Sequence, residues 1–303
     1  MFAKYKNYIL LHFIILIYGF TGILGKLIEI DAIAIVWHRV FIAAVSLFIA
    51  MLLLKKSFKT TSKLRLFQIC AVGVIVAAHW VTFFHSVQLS TASFGVLCLS
   101  TTTLHVSWLE PIILKRKFSW LEFGLSLIVV AGIYFVSSDF SGRELEALYY
   151  GLASAFFAAL FAVYNAKFAQ DTSAATISFY EMVVATLSLS ILLLCLGRFD
   201  ASLFVMTGTD LVWLLFLGIV CTSFAFLATV ELVKYLGVFT VSLSINLEPV
   251  YAIVLGILIL HENEELSTSF YAGSFIIVGV IFLNAIIKSS VKKRKAAKEL
   301  LKS

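Results

Sequence analysis

The stretch "SINLEPVYAIVLGILILHE" (residues 244–262) places a carboxylate, Glu248, beside a proline, Pro249, inside an apolar run that spans residues 238–260. With a rise of 1.5 Å per helical residue, Glu248 is expected about 16 Å along this run, near the middle of a hydrocarbon layer about 30 Å thick. Pro249 removes one backbone donor and leaves the carbonyl of Ile245 without its helical partner. In lipid, such a break is tolerated where it lines a cavity or is buried in protein.

The composition of the chain indicates a membrane protein. Of 303 residues, 61% are hydrophobic and 13% are charged, whereas soluble domains are about 45–50% apolar and about 25% charged. Because lipid offers no water to backbone groups, and because the alternating pattern of a β-barrel is missing, the spans must be helices. We predict an all-α polytopic membrane protein with ten transmembrane helices, the first of which is retained in the mature protein. The predicted spans cover residues 8–25, 32–54, 66–87, 92–114, 119–137, 147–166, 175–196, 210–230, 238–260 and 269–287.

The basic residues predict the orientation of the chain. With the N-terminus inside, most of the 23 Lys and Arg residues fall on the inner side, above all in residues 55–65 and in the tail, residues 288–303. The positive-inside rule then predicts cytoplasmic termini in the inner (plasma) membrane. The net charge of +6 is explained by orientation and lipid contact, so nucleic acid is excluded as a partner. The expected partners are a small-molecule substrate and the lipid bilayer, and a homodimer is left open.

Two segments of the chain align as an internal repeat. Residues 37–54 align with residues 179–196 at a constant offset of 142, which brings Leu47 over Leu189. Apolar matches are common among membrane helices, but spans 1, 3 and 4 also align with spans 6, 8 and 9 at similar offsets. Each half therefore contains five spans.

An odd number of spans per repeat forces the second half to enter the membrane from the opposite face. We predict a first five-helix repeat over residues 1–141, an inverted second repeat over residues 142–287, and a basic cytoplasmic tail over residues 288–303. Inverted repeats are typical of transporters, because they give two related arrangements of one chain around a central site. Channels and membrane enzymes with duplicated halves remain alternatives.

The chain resembles a known family in three features. They are Arg39 early in the second span, "LEPVYAIVLGILILHE" in the ninth, and "GSFIIVGVIFLN" in the tenth. Together with the ten spans, these features resemble the EamA-type permeases of the drug/metabolite transporter (DMT) superfamily. The resemblance implies prolines near a central cavity in the fourth and ninth spans. Here the ninth has Pro249, whereas the fourth reads "CLSTTTLHV" and has its proline later, at Pro111.

Glu248 is the first candidate for substrate binding or coupling. A charge at mid-depth is costly, so its carboxylate is expected to face the bundle interior or a wet cavity. Asn246 shares a broad polar face with it, and Pro249 is the predicted helix break. The alternative is a permanently protonated Glu248 that is hydrogen-bonded to a neighbouring helix.

Arg39 and Glu181 are inverted counterparts, each about eight residues into its span. Arg39 either anchors the second span at the outer interface or binds an anion in the outer vestibule. Glu181 carries the same two alternatives at the inner side. Because the two residues lie at opposite depths, a direct permanent pair between them is not expected.

Two histidines complete the candidate set. His79, followed by Trp80, lies near mid-depth in the third span and is a candidate partner of Glu248. His105 has a similar depth in the fourth span. For both, hydrogen-bonded packing is the alternative. The four cysteines show no paired spacing, so neither a metal site nor a disulfide is expected, and no cofactor is predicted.

The sequence favours a secondary transporter that exports a small organic metabolite, such as an amino acid or a related amphipathic compound. It contains no G-x-x-x-x-G-K-[ST] loop for ATP. Arg39 would bind a substrate carboxylate and Glu248 an ammonium group. A membrane-embedded enzyme acting on lipid or peptide is one alternative, but neither H-E-x-x-H nor G-x-S-x-G is present, so no enzyme is predicted. A passive channel is the other, although no filter repeat is evident.

Overall fold

The computed structural model describes the backbone of residues 2–137, 140, 142–236, 244–245 and 247–300. Side chains are described in these ranges apart from residues 2–5, 230–231, 233–234, 281, 284–285 and 288–300. Every regular element of the described chain is helical. The first half contains α1 (Phe2–Leu27), α2 (Ala32–Leu53), α3 (Lys63–Leu89), α4 (Ala92–Cys98), α5 (Thr102–Leu114) and α6 (Trp120–Val136). The second half contains α7 (Arg143–Phe168), α8 (Ala174–Cys195), α9 (Gly208–Leu215), α10 (Ala225–Leu236), α11 (Glu248–Leu260) and α12 (Thr268–Leu300).

Seven helical segments of the described chain are long and apolar enough to cross a membrane. They are Lys6–Leu27, Ala32–Leu53, Lys63–Leu89, Ala92–Leu114, Arg143–Phe168, Ala174–Cys195 and Gly208–Thr229. Three shorter apolar helices, Trp120–Val136, Glu248–Leu260 and Thr268–Val280, fall within the other predicted spans. The all-helical membrane fold is thus confirmed. The count of ten spans stays a prediction, since part of the predicted span at 238–260 lies outside the described residues.

Two helices of the first half have counterparts of equal length in the second half. Helices α2 and α8 each have 22 residues, and α1 and α7 each have 26. The first turn of α2 is capped by the Asp31 carboxylate and that of α8 by the Ser173 hydroxyl, both favoured residues for this position. Arg39 and Glu181 consequently occupy the same position in their helices, about 10 Å from the helix start.

The fourth predicted span contains an interruption, and in the ninth predicted span α11 begins at Glu248. A 3₁₀ turn, Leu99–Thr101, separates α4 from α5. This turn contains no proline. Two threonine hydroxyls bond to its backbone: Thr101 Oγ1 donates to the Cys98 carbonyl at 2.7 Å, and Thr103 Oγ1 donates to the Ser100 carbonyl at 2.9 Å. Such bonds from threonine compete with the regular helical pattern. In the fourth span, threonines therefore accompany the interruption, which aligns with the start of α11 in the repeat. Pro111 lies further along the chain, inside α5.

The halves interlock through their helix contacts. Helix α3 packs against α7 and α8, α2 packs against α8, α1 packs against α11, and α6 packs against α12. The largest buried apolar cluster is shared by α1, α2, α3 and α8. Neither half therefore encloses an interior by itself.

The connector after α11 is fastened to the first half by Glu262. This residue is only 3% exposed. Its carboxylate accepts hydrogen bonds from the Ala92 amide at 2.6 Å, from the Ser93 amide at 3.1 Å and from the Ser93 hydroxyl. It thus caps the beginning of α4, where backbone donors have no helical partner.

An ion pair joins the beginning of α3 to the connector between α7 and α8. Arg65 at the start of α3 donates to Asp171, between α7 and α8, at 2.6 Å. This hydrogen bond holds the pKa of Asp171 below its ordinary value. Nearby, Thr176 Oγ1 donates to the Ser57 carbonyl at 2.7 Å. These contacts tie the α2–α3 connector to the second half.

Candidate functional site

Arg39 is a buried cation with unused donor capacity. It is 4% exposed, and its Nε donates to Thr222 Oγ1 at 2.9 Å. Its guanidinium lies 4.1 Å from the centre of the Trp80 ring and 5.7 Å from that of Phe84, a favourable arrangement of cation and aromatic face. Its Nη1 is buried without a hydrogen-bond partner in the structure. Stacking on the aromatic rings fixes the plane of the guanidinium, while its Nη1 donors form no hydrogen bond with the described residues.

The partner of Arg39 is positioned by an unusual helical segment. Residues Phe216–Phe224 between α9 and α10 form a π-helix. Within it, Thr222 Oγ1 donates to the Leu217 carbonyl at 2.8 Å, five residues earlier, and so presents its lone pair to Arg39. Ser223 joins the segment to α2, since its hydroxyl lies 2.5 Å from that of Ser46. Short π segments occur frequently at functional sites.

Glu248 begins α11, and Pro249 occupies the first turn of that helix. A proline is well tolerated there because its missing amide would have no helical partner. Glu248 is surrounded by protein, yet part of its surface remains accessible, as expected of a residue that lines an internal space. Among the described residues it forms neither a hydrogen bond nor an ion pair.

Several helices bring polar groups into electrostatic range of one another. Arg39, Glu248 and Tyr18 of α1 lie within electrostatic range of one another. The Tyr18 hydroxyl is itself within 2.9 Å of Thr229 Oγ1 on α10. Helix α1 approaches α11 closely here: a side-chain carbon at Gly19 would lie 3.0 Å from Tyr251 Cβ. The approach requires glycine. We call Tyr18, Arg39, Trp80, Thr222 and Glu248 the central polar cluster.

His79 lies beside this cluster but is held by α7. Its Nδ1 is 2.9 Å from both the carbonyl and the hydroxyl of Ser154, and Ser154 Oγ donates back to the His79 carbonyl at 3.0 Å. Its ring centre is 5.3 Å from that of Phe161. This geometry favours the packing alternative for His79.

The remaining candidates lie elsewhere or outside the described residues. His105 of α5 packs against Phe156 of α7, with 5.3 Å between ring centres, and its Nδ1 is buried without a partner in the structure. Glu181 is 1% exposed and accepts a hydrogen bond from Asn165 Nδ2 at 3.2 Å. Asn246, which was predicted to contribute to substrate binding or coupling, lies outside the described residues. The described chain contains no group of three or more His, Cys, Asp or Glu side chains suited to a metal ion.

The sequence indicated Arg39, Trp80 and Glu248 but missed Tyr18 and Thr222. The only signal for Thr222 was the adjacent polar pair with Ser223 within an apolar run. Its bond to a carbonyl five residues earlier depends on the π-helix, which a periodicity of 3.6 does not predict. Tyr18 gave no such signal, because a tyrosine in an apolar helix is ordinarily packing.

Comparison with known proteins identifies the family. A model of the EamA-like transporter family matches residues 6–138 and again residues 145–286, as two repeats along the chain. A comparison with curated proteins gave no match. A protein of known crystal structure is similar with a TM-score of 0.65 and 16% identity, over 93% of this chain and 97% of that one, which shows a shared fold. The chain therefore belongs to the EamA-like transporter family of the drug/metabolite transporter superfamily, and it is a multi-pass membrane transporter of that type.

Proposed function

We propose that this chain is a secondary transporter that exports a small zwitterionic metabolite, such as an amino acid, by alternating access around the central polar cluster. The observation that carries the proposal is the pairing of unfilled groups: Arg39 Nη1 has no hydrogen-bond partner, and Glu248 has neither a hydrogen bond nor an ion pair in the described structure. Opposite charges held apart in one interior fit a ligand that carries both charges.

Arg39 supplies the carboxylate half of this recognition. Hydrogen bonds to a charged group contribute about 1.5–3 kcal/mol each, and guanidinium matches the planar geometry of a carboxylate. Trp80 and Thr222 hold the guanidinium from two sides. The group is thus oriented before the ligand arrives, which lowers the entropy lost on binding.

Glu248 supplies the ammonium half. Its position in the first turn of α11 places the carboxylate at the positive end of the helix dipole, beside backbone amides that have no helical partner. An incoming ammonium group adds a counter-charge. The substrate's own side chain then lies against apolar and aromatic surface such as Trp80.

Alternating access follows from the arrangement of the halves. Spans with matching interruptions, at Leu99–Thr101 and at Glu248, come from opposite halves and supply hinge points. In such inverted repeats, rocking of one half against the other opens the shared site to either side. The distribution of basic residues supports cytoplasmic termini in the inner membrane. With no ATP-binding loop in the sequence, a gradient or exchange of solutes drives the movement.

Counterflow in proteoliposomes tests the proposal. Vesicles are loaded with one unlabelled amino acid of a panel, and uptake of the same labelled compound is followed. We expect trans-stimulated uptake for wild type, a loss of at least about tenfold for Arg39→Gln and Glu248→Gln, and wild-type uptake for Arg143→Gln, whose side chain is exposed at the start of α7. Uptake without trans-stimulation would indicate a channel, and unchanged uptake by both central variants would overturn the assigned roles.

A further inference from the structure

A second buried acid lies outside the central polar cluster. Glu181 of α8 is 1% exposed, and Asn165 Nδ2 donates to its Oε2 at 3.2 Å. Glu181 Oε1 is buried and has no hydrogen-bond partner in the structure, and the same is true of Asn165 Oδ1. Two acceptor oxygens in one buried place thus have no donor. Buried polar atoms of this kind call for an explanation.

The helices around Glu181 offer it no cation among the described side chains. Arg39 of α2 is bound to Thr222 and Trp80, Arg65 of α3 is paired with Asp171, and Lys167 of α7 is exposed. None of these forms an ion pair with Glu181. Helix α10 also packs against α8, and the side chains of its charged residues, Glu231 and Lys234, lie outside the described ones.

Helix α3 also packs tightly against this part of α8. A side-chain carbon at Gly73 would lie 2.9 Å from the Glu181 carbonyl oxygen, so little space separates the two backbones. An ionised carboxylate in this place would be a buried charge without a counter-charge among the described side chains, which is strongly unfavourable.

We propose that Glu181, supported by Asn165, is a proton-binding site separate from the central polar cluster. A bound proton removes the unpaired charge and turns the carboxyl into a hydrogen-bond donor. A metal cation fits less well, because the pair offers three side-chain oxygens, whereas Mg²⁺ and Ca²⁺ take about six to eight ligands. The step is a simple transfer: the carboxylate gains one proton from one side and loses one proton to the other, with no other bond changed.

The place of Glu181 in the repeat suggests what the proton does, and this part rests on the proposed function. Glu181 and Arg39 occupy equivalent positions of inverted helices. One half therefore places a substrate-binding cation where the other half places a proton-binding acid. A proton carried at Glu181 couples substrate movement to the pH gradient.

Infrared spectroscopy of the purified protein tests the site without a substrate. When the spectrum of Glu181→Gln is subtracted from that of wild type at neutral pH, we expect the difference spectrum to contain the carbonyl band of a protonated carboxyl group. Glu264→Gln, at an exposed residue, serves as the control and should remove an ionised carboxylate band. If Glu181→Gln does not fold, Asn165→Leu serves instead and should shift the protonated band, since its donor is lost. An ionised carboxylate band at Glu181, or a shift on replacing sodium by choline, would overturn the proposal.

Transport in the same vesicles tests the coupling. With the amino acid that gives counterflow, Glu181→Gln should keep counterflow, which needs no net proton movement, and lose accumulation driven by a pH gradient. Gradient-driven accumulation equal to wild type would overturn the coupling role. Absence of counterflow in wild type would instead contradict the proposed function, while the infrared result would still decide the proton site.

Discussion

Arg39 is held by two different kinds of contact, and they can be separated. Lysine at this position keeps the charge but loses the bond to Thr222 and the flat stack on Trp80. We expect Arg39→Lys to raise the KM for the transported amino acid by about 10–100-fold, the equivalent of about 1.5–3 kcal/mol. Thr222→Val should have a smaller effect in the same direction, because it removes one bond and leaves the stack. Equal KM values for wild type and Arg39→Lys in counterflow would contradict this role.

Asp171 offers a test of the connectors by pH. Arg65 lowers the pKa of Asp171 in the folded protein, so the ion pair stabilises the fold above the unfolded pKa of about 3.9 and loses its effect as the pH falls through the folded value. Since the Asp171 side chain is 37% exposed, the contribution is at most about 1 kcal/mol. The unfolding temperature of Asp171→Asn in detergent should lie below that of wild type at pH 7, and the difference should shrink steadily as the pH falls below the unfolded pKa of about 3.9. A difference that grows on acidification would contradict the pairing.

At the scale of single residues, the depth of a charged residue within its apolar run was enough to mark it as a candidate site residue. Arg39, Glu181 and Glu248 were predicted because a charge far from a helix end needs a partner or a cavity. The contacts of His79 with Ser154 were not predictable, since they join helices that are distant in sequence. A histidine at mid-depth therefore left two alternatives that only the packing could separate.

At the scale of elements, Glu262 is the clearest link between a connector and a helix. Replacement by Ala leaves the Ala92 and Ser93 amides of α4 without their acceptor, which costs about 1–3 kcal/mol for a buried group. We expect Glu262→Ala to unfold in detergent at a clearly lower temperature than wild type. Glu264→Ala, two residues away and exposed, is the matched control. If both variants unfold at the same temperature, Glu262 does not cap α4.

The helices themselves were largely predictable from apolar run length, whereas their interruptions were only partly so. Pro249 marked the start of α11, because proline cannot continue a helix from within. The 3₁₀ turn at Leu99–Thr101 and the π-helix at Phe216–Phe224 contain no proline. Both contain serine or threonine side chains that bond to backbone carbonyls, and Thr186 and Ser190 make such bonds within α8 without interrupting it.

At the scale of the whole molecule, the two halves form one unit. The offset between residues 37–54 and residues 179–196 predicted the repeat, and helices α2 and α8 have the same length and equivalent caps. The way in which the halves interlock, with α3 against α7 and α8, could not be predicted from the offset. Contacts between distant helices depend on shape complementarity, which a repeat pattern does not contain.

The central claim is that both halves enclose one space that opens to either side and contains Glu248. Labelling of a single cysteine at position 248, in a protein whose four native cysteines are replaced, tests it most directly. A membrane-impermeant thiol reagent is applied from outside or inside the vesicle, with Val254→Cys on an exposed part of α11 as the lipid-facing control. We predict that Glu248→Cys reacts from both sides, less when the transported amino acid is present, and that Val254→Cys reacts from neither. Reaction of Glu248→Cys from one side only, or from neither, would contradict the account.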